Sequence, residues 1–381
     1  GGAMYISNDQ LTIQFSQVRL NSAGQAGGIW VENGTLRTGN TLYCGNGVNI
    51  SGSFQDLGGN TFAGGCDGSG ATTRLVPEEY ATIQSAIDAS YDGDLVLVGP
   101  GVYSEGLNFG GREIEVRSTE GASSTTVNPL SGRCFTAVGQ KGAGAVLDGF
   151  TLTGGSSDNG GGVYMSASSP TLIGCVITGN TASEGGGVYV TNASPRFINC
   201  EISLNTASGS NGGGGVYASS STLDFENCVV SNNSASSSAS EGGGLYVYGC
   251  TVSLTECEVS GNSCGYDGGG GIYGGTLTLT DTSVTDNVTT ASGDGGGIRS
   301  ASLSIIGGSI SGNEAGDNGG GLYDCYGSVS NCQLIGNTAA DNGGGVWCDD
   351  SLTFTGCTIE ENEAGEYGGA MYVAGGQPTV Q

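Results

Sequence analysis

The sequence contains no histidine and a single lysine, Lys141. Without imidazole, histidine-dependent triads and most metal-hydrolase sites are excluded. Only nine residues are basic against 36 acidic, a net charge of −27. That balance excludes the basic patch through which nucleic acid or an anionic membrane is bound. No apolar run reaches about 18 residues, so no helix is expected to span a bilayer. Helical periodicity and the leucine spacing of leucine-rich repeats are also missing. Gly1 opens without an initiator methionine or a signal-peptide pattern, as in a mature or excised chain. Thirteen cysteines beside one lysine point to export, to an extracellular or cell-surface location.

What the chain has in quantity is glycine, 77 residues, and the glycine is periodic. Small glycines, an aliphatic residue and then an aromatic recur, first as Gly161-Gly162-Val163-Tyr164. The same phrase carries Tyr189, Tyr217, Tyr246, Tyr273, Arg299, Tyr323, Trp347 and Tyr372. A second phrase, an aliphatic residue three positions before asparagine, keeps step at Asn180, Asn205, Asn233, Asn262, Asn287, Asn313, Asn337 and Asn362. Each unit holds three short alternating runs separated by Gly/Ser/Asn turns, as at Gly187–Val190, Pro195–Cys200 and Glu201–Leu204. Three strands in a unit of roughly 25 residues, too short for a propeller blade, describe one coil of a solenoid. The fold class is therefore all-β, a right-handed parallel β-helix. Stacked coils about 4.8 Å apart place equivalent residues in ladders. The asparagine is expected to take a left-handed turn conformation and to hydrogen-bond along the stack.

Near the start of this array stand Val76-Pro77, Tyr80–Ala89, Gly93–Val98 and Pro100-Gly101-Val102-Tyr103. This segment resembles the entry segment of pectin-lyase-like right-handed β-helices. Thr82 is expected to cap a short helix near 82–89 whose Ile83, Ala86 and Ile87 plug the core. The repeats are similar to those of polymorphic outer-membrane proteins, which are autotransporter adhesins. An aliphatic residue here stands where their second phrase has an aromatic, and the membrane barrel of autotransporters is not expected from the residues up to Gln381. The resemblance implies the fold and leaves activity open, because this superfold hosts many functions.

The order of parts is unusual. Residues 1–66 read as terminal coils and a cap, 67–73 as a linker, and 74–381 as the main β-helix with an open C-terminal end. Met4 and Tyr5 at the head nearly repeat Met371 and Tyr372 at the tail. An uncapped solenoid end invites head-to-tail self-association, and a heterologous contact that does not close gives filaments. The expected function is thus a non-catalytic extracellular structural protein, a unit of a β-helix filament or cell-surface fibre. The alternative is an adhesin binding surface glycans, and a polysaccharide lyase or hydrolase is the remote third.

Candidate chemistry falls into columns. Tyr164, Tyr189, Tyr217, Tyr246, Tyr273, Tyr323 and Trp347 form an aromatic ladder, either a glycan-facing surface or rings stacked on one another. Cys175, Cys200, Cys228, Cys257, Cys332 and Cys357 each precede a repeat asparagine by five residues. They form a buried thiol ladder or inter-coil disulfides. Cys44 with Cys66, and Cys325 with Cys348, are candidate disulfides. Acidic residues precede the glycines, and calcium is a possible ligand at Asp294, Asp317 and Asp341, where stacked carboxylates would otherwise repel. No other cofactor is implied. For catalysis the candidates are Lys141 or Arg299 as a lyase base and Asp324, Asp349 and Asp350 as glycosidase acids.

Overall fold

The computed structural model describes residues 71–139, 144–237, 240–265, 268–290 and 292–381, together with the backbone of nine strands between Met4 and Ala63. From Thr73 onward the chain winds into a right-handed parallel β-helix. The first coils pass through three sheets, and from Val146 onward each coil passes through four in turn. Sheet 1 has thirteen strands, from Thr73–Val76 to Thr379–Val380, and sheet 2 has eleven, from Gly101–Tyr103 to Thr358–Glu360. Sheet 3 has nine, from Ser156–Asn159 to Glu363–Ala364, and sheet 4 has eleven, from Leu107–Asn108 to Met371–Val373. Sheet 3 is one strand per coil more than the alternation predicts. Its strands are mostly two residues long, as at Thr206–Ala207, too short to show a period.

The alternation puts one side chain in and the next out. Val163, Val188, Val216, Leu245, Ile272, Ile298, Leu322 and Val346 are fully buried in one inward column of sheet 4. At the entrance to the core, Ile83–Asp88 is helical, and the Thr82 hydroxyl accepts from the Ser85 N–H. Ile83, Ala86 and Ile87 are fully buried beneath it. The Glu105 carboxylate accepts from the N–H groups of Ile83 and Gln84, satisfying donors the helix leaves free.

The repeat asparagines form one continuous internal ladder. The backbone N–H and Nδ2 of each donate to Oδ1 of the next, from Asn180 to Asn205 and on to Asn362, at 2.9–3.1 Å. The expected left-handed conformation falls one residue earlier, at Gly179, Leu204, Asn232, Gly261, Asp286, Gly312, Gly336 and Glu361. That residue turns the chain outward, which frees the asparagine to point into the core. Leu204 accordingly stands 63% exposed. The last glycine of each phrase packs against this ladder. A Cβ on Gly244 would lie 2.6 Å from the Gly271 carbonyl oxygen and 3.0 Å from Asn262 Nδ2, so only glycine fits there.

In the segment before Thr73, three sets of parallel strands stack in register, with Met4 against Ile29 and Ile29 against Ile50. The proposed Cys44–Cys66 bridge lies outside the described residues, as do the side chains of Met4 and Tyr5 and the whole of Lys141.

Candidate functional site

The corner between sheets 4 and 1 changes length along the helix. Register aligns Thr222, Thr251, Thr276, Ser302 and Tyr326 at the start of sheet 1. Tyr217 and Tyr246 precede their members of that row by five residues. Tyr273, Arg299 and Tyr323 precede theirs by three. Two missing residues over three successive coils lower the wall and leave a trough. A cavity of about 530 Å³ lies at these shorter corners, and one of about 610 Å³ adjoins it over the longer corners of the preceding coils, sharing Gly249 and Thr251. The larger is lined by hydroxyl and amide groups, including Ser194, Ser220 and Thr222. The smaller lies between Tyr248 and Tyr326, which are 68% and 50% exposed.

Beside the trough, the outer face of sheet 1 is a field of hydroxyls. One column runs Ser253, Thr278, Ser304, Ser328 and Thr353, and another Thr255, Thr280, Ile306, Ser330 and Thr355. Neither column contains a charge, on a chain whose net charge is −27. The preceding coils carry Arg196, Asp224 and Glu226 on the same face, joined by ion pairs of 2.8 and 3.5 Å. Sequence reasoning passed over Tyr248 and Tyr326. The one legible signal is an extra aromatic two positions after Tyr246.

The aromatic ladder is close by on sheet 4. Rings of Tyr164, Tyr189, Tyr217, Tyr246 and Tyr273 stack with centroids 4.9–5.4 Å apart and planes within 11°. Each ring covers its neighbour's face, so the ladder offers a ligand edges and hydroxyls, whereas a sugar ring stacks on an open face. Tyr323 and Trp347 stack at 4.4 Å, and the Arg299 guanidinium lies 5.1 Å above the Tyr323 ring. Met371 and Tyr372 continue the column, paired with Val346 and Trp347.

The architecture decides the family. A family model described as a right handed beta helix region matches residues 127–276 and 238–381, together two thirds of the chain. The chain belongs to the right-handed β-helix family. Comparison with curated proteins and with solved structures gives no match.

The remaining columns of this β-helix take definite forms. Cys175, Cys200, Cys228 and Cys257 stack as free thiols, each buried. Each Sγ donates to two carbonyls, as Cys228 does to Phe197 and Glu226 at 3.3 Å. Thr282 follows on the next coil, and its hydroxyl makes the equivalent bonds to Leu254 and Thr280. The position thus selects a small side chain with a donor. Hydrogen bonding to Cys175 and Cys228, together with burial, holds the Cys200 thiol well above its ordinary value. Burial pushes Cys332 up to about 12. Cys357, the last of the column, is a half-buried free thiol. Cys325 and Cys348, a candidate disulfide, are also separate thiols. The reason is register: Cys348 lies level with Asp324, whose left-handed conformation bends the chain before Cys325. Cys325 donates to Tyr323 O and Cys348 to Asp350 O instead.

The three aspartates proposed for calcium divide between two columns. Asp317 lies over Gly293, and Asp341 over Asp317. Asp294 instead accepts from the backbone N–H and Nδ2 of Asn318, and Arg299 approaches it at 3.7 Å. Among the described residues, no three acidic or thiol side chains gather as a metal site. Burial, the hydrogen bond to Asp341 and the charges of Asp294 and Asp341 push the Asp317 carboxyl up to about 6. The folded pair therefore holds its proton more tightly than the unfolded chain does. The stability this contributes is complete below the ordinary aspartate value and is lost as pH rises through about 6. Asp341→Asn is expected to lower the Asp317 midpoint in a carboxyl NMR titration and to flatten stability across that window. An unchanged midpoint would show that the two carboxyls are not coupled.

Asp324, Asp349 and Asp350 lie on the corner between sheets 4 and 1, and none lines either cavity. Arg299 stays within the aromatic column, between Tyr273 and Tyr323.

Proposed function

We propose that this β-helix is a non-catalytic extracellular protein that binds a neutral polysaccharide strand along the trough beside sheet 1. The observation that carries this reading is the charge-free hydroxyl face meeting a trough flanked by two exposed tyrosines, Tyr248 and Tyr326. Sugar hydroxyls find donors and acceptors in serine and threonine, and the apolar face of a pyranose finds an open phenol ring. The chain's −27 charge disfavours polyuronates and other anionic polymers. The residues lining the cavities carry no carboxylate, imidazole or amine to act as a general acid or base near neutral pH, which supports binding over bond cleavage. An extended, rigid site also suits an adhesin, since a preformed surface loses little entropy on binding.

The test is affinity for neutral glucans, mannans and xylans compared with polygalacturonate and alginate, using the full chain. Tyr248→Ala combined with Tyr326→Ala is expected to weaken neutral-glycan binding at least about tenfold, ~1.4 kcal/mol. Tyr217→Phe, within the closed ring stack, should leave affinity unchanged. Equal binding to polygalacturonate, or no binding to any polymer, contradicts the reading.

A further inference from the structure

The five-ring tyrosine stack has a cation over one end, and an arginine takes the rung after the other. The Arg133 guanidinium lies 4.4 Å above Tyr164 at one end. Arg299 occupies the next rung after Tyr273 at the other. Between them are four ring contacts, Tyr164–Tyr189, Tyr189–Tyr217, Tyr217–Tyr246 and Tyr246–Tyr273. Guanidinium does not give up an electron under conditions that oxidise phenol. An oxidising equivalent that enters this segment therefore does not pass along the column through either arginine.

We propose that the stack is a site of oxidative cross-linking, in which neighbouring tyrosines on adjacent coils join as dityrosine. Each phenol loses one electron and one proton to give a neutral phenoxyl radical. Two adjacent radicals form a carbon–carbon bond between their ortho positions. The two ring hydrogens then move to oxygen and restore both phenols. The balance is two tyrosines to one dityrosine plus two protons and two electrons. Hydrogen peroxide acting through a peroxidase accepts those electrons and protons and becomes two waters.

Three features of the column favour the step. Backbone pairing holds every ring in register with the next, so coupling partners are already neighbours. The rings lie 4.9–5.4 Å apart, close enough for a radical to exchange between them before it escapes. Burial first, and then the charges of Glu241 and, less, Glu184, raise the Tyr246 phenol, and these carboxylates are bases for the proton released on oxidation. The product staples successive coils of a chain whose described cysteines are all free thiols.

The experiment is photolysis of the full chain with a ruthenium polypyridyl complex and persulfate, which becomes two sulfates as it accepts the two electrons. Dityrosine fluorescence is read in the monomer fraction, and peptide mapping locates the linked pairs. The expected result is intramolecular dityrosine between successive members of the stack. Tyr217→Phe removes two of the four ring contacts, so the yield should fall to about half. Tyr248→Phe and Tyr326→Phe, outside the stack, should leave it unchanged. Cross-links that map to Tyr91, Tyr248, Tyr326 or Tyr367, or that form only between molecules, overturn the proposal.

Discussion

Phe225→Ala is expected to destabilise the coils around it by about 3–5 kcal/mol, the usual cost of emptying a buried phenylalanine site. Phe225 is fully buried and stacks on Phe197 with centroids 4.7 Å apart. On its other side register places Leu254, also fully buried. A rigid backbone hydrogen-bonded above and below cannot close over the gap, so most of the cavity persists. Stability in a solenoid is a sum of coil and interface contributions, and the loss falls on the interfaces that Phe225 joins. Hydrogen exchange should therefore accelerate from about residue 197 to 254 and remain slow near Phe354. A uniform change along the whole chain would mean that the β-helix unfolds as one unit.

Asn262→Ala is expected to cost roughly 2–4 kcal/mol, because each buried polar group left without a partner costs about 1–3 kcal/mol. The substitution removes the acceptor for the backbone N–H and Nδ2 of Asn233. It also removes the donor to the Val230 carbonyl and to Asn287 Oδ1. Asn233 keeps its bond to Ile202 and Asn287 keeps the Asn262 N–H, so not every group is orphaned. Asn362→Ala provides the internal comparison. That residue ends the ladder, its side chain is part-buried, and no following asparagine accepts from it. Its loss should be less than half as large, read from denaturation midpoints under identical conditions. Equal effects at both sites would show that the ladder does not act as a buried network.

Much of this architecture was legible because a stacked coil repeats its environment. Asn262 meets Asn233 and Asn287 in the same way at every level, so one chemical requirement appears eight times in the sequence. The same holds for the inward valines and for the cysteine column, where Thr282 shows that a donor, and not sulfur itself, is selected. What was not legible lies where one coil departs from its neighbours. The two-residue strands of sheet 3 are shorter than any detectable alternation. The left-handed corner falls on the residue before asparagine, where glycine, asparagine and aspartate hold six of the eight positions, but Leu204 and Glu361 break the pattern and the recurrent asparagine next door is itself a left-handed former. Asp294 was grouped with Asp317 because both precede glycines. A one-residue offset, visible only in the backbone pairing, sets it beside Asn318. The trough is a difference of two residues in corner length, read only once register is known.

A crystal structure of the full chain with a neutral oligosaccharide decides whether the trough is a binding site. The predicted result is a sugar chain lying between Tyr248 and Tyr326, with hydrogen bonds to Thr251 and Thr276. Sugar bound only along the stacked rings of sheet 4, or none bound at saturating concentration, would contradict it.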